Sequence, residues 1–185
     1  MKGTIPKCLE EMVRARYSES TWDQVKKAAD LASWHSFLTT EDIPDDTVKA
    51  LFATTAEVLD KTVQEVMDEF GIHWSTVYAP DIYGVFFNRA SSARELLLGM
   101  AEVHRVTTAT VKNAQPPRFS YRWLDDETLV MTYDSERDMA GLMPGLIRGV
   151  GEFYREELQV SREGDHMTIR FMDVASRRSS APTAL

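Results

Sequence analysis

At 185 residues, 43% of them hydrophobic, the chain has material for one substantial core and too little for two independent ones. Its single cysteine, Cys8, leaves no internal disulfide and no cysteine-pair metal site, a usage that fits a reducing compartment such as the cytoplasm. A formal charge of -8, from 21 basic and 29 acidic residues, speaks against a nucleic-acid groove. No apolar run is long enough to span a membrane, and the charged start MKGTIPKCLEEMV does not have the apolar core of a secretory signal.

Over roughly the first 110 residues apolar positions recur at intervals of three and four, the helical period. Ile5, Leu9, Met12 and Val13 form a first stripe. Ser20 is placed as an N-cap ahead of Trp22, Val25 and Ala29, and Pro44-Asp45-Asp46 punctuates the chain before Val48, Leu51, Phe52, Thr55 and Leu59. Thr62 opens TVQE, a capping-box sequence with Glu65 as reciprocal partner, and Val66, Met67, Phe70, Trp74 and Val77 extend it into a long helix that Pro80 is expected to close. The aromatic stretch from Tyr83 to Phe87 reads as a short connector. A helix over 92–111 follows, with Leu97, Met100, His104, Thr107 and Val111 on one stripe.

Pro116-Pro117 ends the helical register. Segments 119–124, 128–135, 157–161 and 167–174 are short, aromatic and aliphatic, and bounded by turn residues, so they read as strands. Between the second and third, 139–154 returns to helical spacing through Leu142, Leu146, Val150 and Phe153. This order predicts an α+β fold: an N-terminal helical subdomain, then a four-stranded antiparallel sheet with an intervening helix. Residues 1–174 are expected to form one domain, and the Ser-, Arg-, Ala- and Pro-rich tail 175–185 to be disordered.

Two features carry chemistry. Alternation on the second strand puts Leu129, Met131, Tyr133, Ser135 and Arg137 on one face and Val130, Thr132, Asp134 and Glu136 on the other. A phenol, a hydroxyl and a guanidinium, each about 6.8 Å from the next along a strand, can reach successive oxygens of an extended dicarboxylate. Taken alone, the same pattern also describes a strand running from the core into solvent. His104 stands where its stripe would otherwise hold Leu or Val, so the imidazole points inward. Burial favours the neutral form that ligates a metal, as in a proximal heme ligand, although a lone histidine on an apolar face also serves as a core residue bonded to a carbonyl. His35, His73 and His166 form no cluster with zinc spacing.

The opening MKGTI, the segment EVHRVTTATVKNAQPPRF, with Pro117 thirteen places after His104, and YDSER followed by GLMPGLIRGVGEFY resemble the heme nitric oxide/oxygen binding (H-NOX) family, related to the sensor of soluble guanylate cyclase. The resemblance spans nearly the whole chain. It implies heme b between the helical subdomain and the sheet, with His104 as the iron ligand and Tyr133, Ser135 and Arg137 on the propionates. Ile5 and Pro117 would press on the porphyrin, Met100 would line the pocket, and Ile5, Leu9, Trp74, Leu142 and Leu146 would wall the gas site.

In oxygen-binding members of that family a distal tyrosine donates to bound dioxygen. The equivalent position here is Leu142, so an NO-responsive site that excludes oxygen is expected, with CO as a further ligand and the Trp74 indole N–H as a remaining donor. Signalling in the family implies that NO weakens or breaks the bond between His104 and iron and that a partner responds, such as a histidine kinase or a cyclic-di-nucleotide enzyme. The chain carries no kinase signature and no phosphate-binding glycine loop, so it is not expected to be an enzyme. Ser135 has no evident histidine partner and Cys8 lies on an apolar helix, which leaves no activated nucleophile. The rival reading is a heme-free scaffold of the same fold that binds another anion or only a protein.

Overall fold

The computed structural model describes residues 1–109, 111 and 114–172; the tail expected at 175–185 lies outside the described residues. Helices α1 (Thr4–Arg16), α2 (Glu19–Ala28), α3 (Asp45–Leu59), α4 (Val63–His73), α5 (Ala79–Arg89), α6 (Ala93–Leu98) and α7 (Met100–Thr108) precede β1 (Arg118–Trp123) and β2 (Thr128–Asp134). Helix α8 (Met143–Tyr154) then leads to β3 (Leu158–Glu163) and β4 (His166–Phe171). The strands pair antiparallel in the order β1-β2-β4-β3, which makes the fold α+β as the sequence predicts.

Two apolar cores meet at a seam. One is helical and holds Leu9, Met12, Trp22, Phe52, Val66 and Phe70; the other packs the sheet residues Leu129, Met131, Met167 and Ile169 under Ile147 of α8 and Leu96 and Leu97 of α6. Trp74 and Leu146 pack against both. The seam is closed where α8 crosses α4 with backbone on backbone. A Cβ on Gly71 would stand 2.3 Å from the Leu146 nitrogen, one on Gly145 2.4 Å from the Asp68 oxygen, and one on Gly149 2.8 Å from the Ile72 Cα.

Several local expectations are corrected. Ser18, not Ser20, caps α2: its backbone is extended and its hydroxyl accepts from the Thr21 amide at 3.0 Å. The Thr62–Glu65 capping box forms as expected, and the helix it opens runs to His73 and then widens into a π turn over Trp74–Tyr78. Pro80 does not close that helix. It sits in the first turn of α5, directly after the π turn, and the aromatic stretch 83–87 lies within α5, which kinks at Tyr83, rather than in a connector. The helix expected over 92–111 is two helices, α6 and α7, divided at Gly99 and ending at Thr108. Strand β2 ends at Asp134, so Ser135 and Arg137 lie in the turn beyond it rather than on its face.

Candidate functional site

Helix α7 carries His104 and is thinly held. None of its residues is fully buried, and its principal neighbours are α6 and β1. The half-buried His104 ring lies 5.4 Å from that of Phe119, centre to centre, and Phe119 in turn lies 6.1 Å from the ring of Tyr133. Burial holds the imidazole below the ordinary histidine pKa, hence neutral near pH 7. The backbone carbonyl of His104 accepts from the Thr108 hydroxyl at 2.6 Å, while neither ring nitrogen has a protein hydrogen-bond partner among the described residues.

Tyr133, Ser135 and Arg137 do come together, through a strand end and a turn. Arg137 donates its backbone amide to the Ser135 hydroxyl at 3.3 Å, which tightens the turn after the strand. The Tyr133 phenol is buried, which pushes its pKa up, partly countered by a hydrogen bond with Ser135 and by the Arg137 charge. Arg137 reaches Asp45 at 2.6 Å and the Gln115 carbonyl at 3.4 Å. The Met1 ammonium meets the same Asp45 oxygen at 2.6 Å, so one carboxylate serves two cations and the group keeps a surplus positive charge. Asp134 and Glu136 point to solvent, Asp134 toward Arg118 at 3.8 Å.

Of the expected gas-pocket wall, Leu9 and Leu142 are buried in the helical core, and Ile5, Trp74 and Leu146 pack against it. Met100 packs against the sheet-side core, and Pro117 is half-buried two residues before Phe119. The wall residues and Met100 therefore belong to opposite sides of the seam that Trp74 and Leu146 bridge. The π turn alters one assignment. It inserts a residue into the helical register, so Val77, expected on the stripe, is 55% exposed, while Tyr78 turns inward with its ring 5.1 Å from that of Trp74. Burial pushes the Tyr78 phenol up to about 12, and its hydroxyl has no hydrogen-bond partner among the described residues.

Asp45, Phe119 and Tyr78 were not apparent as site residues from spacing. Asp45 meets Arg137 across 92 positions, a pairing that no local pattern encodes. Tyr78 had a signal in its four-residue offset from Trp74.

The residues present fit a heme. They provide a neutral imidazole whose ring nitrogens have no partner among the described residues, apolar side chains on both faces of a seam, and a surplus cation beside a phenol and a hydroxyl where two carboxylates would lie. Among the described residues no group of three or more His, Cys, Asp or Glu could hold a bare metal ion.

Comparison with known proteins agrees with this geometry. The Haem-NO-binding family model matches residues 2–162. An oxygen-binding H-NOX domain related to soluble guanylate cyclases, solved as its oxygen complex, is 28% identical, covers 94% of this chain and 96% of its own, and superposes with a TM-score of 0.78. A variant of the T. Tengcongensis H-NOX is 26% identical over 94% of this chain and 98% of its own, at a TM-score of 0.78. An H-NOX protein from S. oneidensis in the Fe(II)NO state shares the fold at a TM-score of 0.81 with 19% identity, over 94% of this chain and 100% of its own.

Proposed function

The chain belongs to the haem-NO-binding (H-NOX) family of heme-based gas sensors, and from that premise we propose that it is an NO-selective sensor holding heme b through His104. Domains of this family are sensors rather than enzymes. The observation that carries the reading is the neutral His104 imidazole, without a hydrogen-bond partner among the described residues, on a helix without a fully buried residue. Such a group is ready to ligate and is cheap to move.

Heme supplies the ferrous iron to which a diatomic gas binds; everything else falls to the chain. His104 ligates from α7, Tyr133, Ser135 and Arg137 take the propionates, and Ile5 and Pro117 bear on the porphyrin. Met100 lines the proximal side. Ile5, Leu9, Trp74, Leu142 and Leu146 wall the gas site.

Selectivity follows from position 142, where a leucine only 7% exposed offers no donor. A dioxygen ligand gains from a hydrogen-bond donor as charge builds on it, whereas NO, and more weakly CO, bind ferrous heme without one. Were NO to weaken the bond between His104 and the iron, α7, whose exposed Glu102, Arg105 and Val106 face outward, would be free to move. That movement biases a surface read by a partner such as a histidine kinase or a cyclic-di-nucleotide enzyme in the cytoplasm.

One observation favours a second reading: the free Tyr78 phenol beside Trp74 is a donor that would suit dioxygen. One experiment decides between them. The ferrous heme-loaded protein is exposed to air and followed by its Soret band, beside Tyr78→Phe and His104→Gly. NO selectivity predicts no stable oxy spectrum in either the wild type or Tyr78→Phe, and a His104→Gly protein that keeps its heme only with added imidazole. A stable oxy spectrum abolished by Tyr78→Phe establishes the second reading, and a His104→Gly spectrum identical to wild type without imidazole removes the ligand assignment.

A further inference from the structure

Strand β1 turns alternate residues toward the His104 helix: Phe119 meets the His104 ring, and Tyr121 meets the break between α6 and α7. At that break the Tyr121 hydroxyl donates to the Leu97 carbonyl at 2.9 Å, and the Ala101 amide lies beside the same phenol. Leu97 and Ala101 are four residues apart, the carbonyl and amide that pair with each other in an uninterrupted helix. A side chain seated in the ladder in this way is one of the few causes of a sharp helix break that needs no proline.

Gly99 occupies the gap. Its amide reaches back to the Glu95 and Leu96 carbonyls, both at 3.1 Å, and its carbonyl starts α7 by accepting from Glu102 at 3.0 Å and Val103 at 3.1 Å. Burial pushes the Tyr121 phenol up to about 12, so the hydroxyl keeps its proton, and its donor role, throughout the physiological range.

We propose that Tyr121 is a positioning residue for His104: its hydroxyl takes the place of the Leu97–Ala101 helix bond, sets the angle between α6 and α7, and so fixes the direction in which the imidazole is presented. His104 follows Ala101 by three residues, less than one turn of about 3.6 residues, so it turns with the segment that begins beside the phenol. Because α7 has no fully buried residue, its restraints are this hydroxyl, the Phe119 contact and the partial packing of Met100 and Val103 on the sheet-side core. The consequence for gas signalling rests on the heme reading above. The pinning of α7 does not.

The test uses Tyr121→Phe, which keeps the ring and removes only the hydroxyl, with Tyr121→Leu as a control for lost packing. In the heme-free full chain, amide exchange of α7 is expected to quicken about ten-fold or more in Tyr121→Phe, while amides of α4, α8 and the sheet stay within about two-fold of wild type. In the ferrous heme-loaded protein the iron–histidine stretching band shifts in the same variant. Unchanged α7 exchange in Tyr121→Phe, a change seen only in Tyr121→Leu, or a rise spread evenly over the chain overturns the proposal. Failure of the wild type to take up heme counts against the heme reading alone, since the exchange measurement needs no heme.

Discussion

Gly145→Ala puts one methyl group into the tightest contact of the seam. Its Cβ would stand 2.4 Å from the Asp68 oxygen and 2.7 Å from the Asp68 Cα, both backbone atoms, so no rotamer change relieves the clash. The helices α4 and α8 must part there by roughly 1 Å to restore an ordinary non-bonded approach. Overpacking of this kind costs about 1–3 kcal/mol. Alanine returns about 1 kcal/mol through its better helix propensity. Tilting about the contact brings little relief, because Gly71 and Gly149 hold the same two helices together within the next turn. The net loss is up to about 2 kcal/mol, which lowers the melting temperature of a domain of this size by up to about 8 °C. Thermal unfolding of the heme-free chain, followed by circular dichroism at fixed pH, measures it. The paired Gly71→Ala/Gly145→Ala variant should lose less than the sum of its parts, since the first substitution opens space for the second. A melting temperature clearly above wild type in Gly145→Ala refutes the reasoning, because it would mean that the helix-propensity gain meets no opposing clash and the two backbones are not in contact.

Arg137→Ala removes a charge-assisted contact of about 1.5–3 kcal/mol from the propionate end, and heme should pass to a scavenging apo-globin about 10- to 100-fold faster; transfer at the wild-type rate would take Arg137 out of the site. Acid should also weaken the heme-free fold. Burial holds His73 and His104 below the ordinary histidine value, so as pH falls through about 6.5 the unfolded chain takes up protons before the folded chain does. Stability therefore declines from near neutral pH downward and levels off once the folded-state values are passed. Glu65 and Glu69, held below the ordinary carboxylate range, add their own loss only at lower pH. Urea midpoints at about pH 7.5 and 5.5 check this, and a midpoint that stays level or rises at the lower pH contradicts the assignment.

What the sequence made legible was what repeats or sits close together. The three-and-four period marked the helical half, alternation and turn residues marked the strands, and the Thr62–Glu65 box was readable because both its partners lie within one turn. The π turn was not legible, because an extra residue inside a helix leaves the composition of its stripe intact while moving Tyr78 to the place Val77 was expected to fill. Pro80 was misread for a related reason: a proline that ends one helix and a proline that begins the next look alike until the turn before it is known. At the site, the inward position of His104 and the Tyr133-Ser135-Arg137 spacing were visible. Asp45 and Tyr121 act on elements far away in the chain, and their own neighbours read only as a helix start and a strand.

The Asp45 arrangement bears on how a dicarboxylate could enter at all. Arg137 is mostly buried, and a guanidinium in that position without an anion would carry a large desolvation cost. Asp45 meets that need, and it would compete with a propionate were it not also held by the Met1 ammonium. With two cations on one carboxylate oxygen, the arrival of a second anion lets Arg137 turn to it while Met1 stays on Asp45. Arg137 would then face one carboxylate of the pair and Met1 would face Asp45, while the other carboxylate would rest on the Tyr133 and Ser135 hydroxyls. The exchange conserves ion pairs, so its cost is one of geometry rather than of desolvation, and the strand-end turn at Ser135 is where that geometry is set.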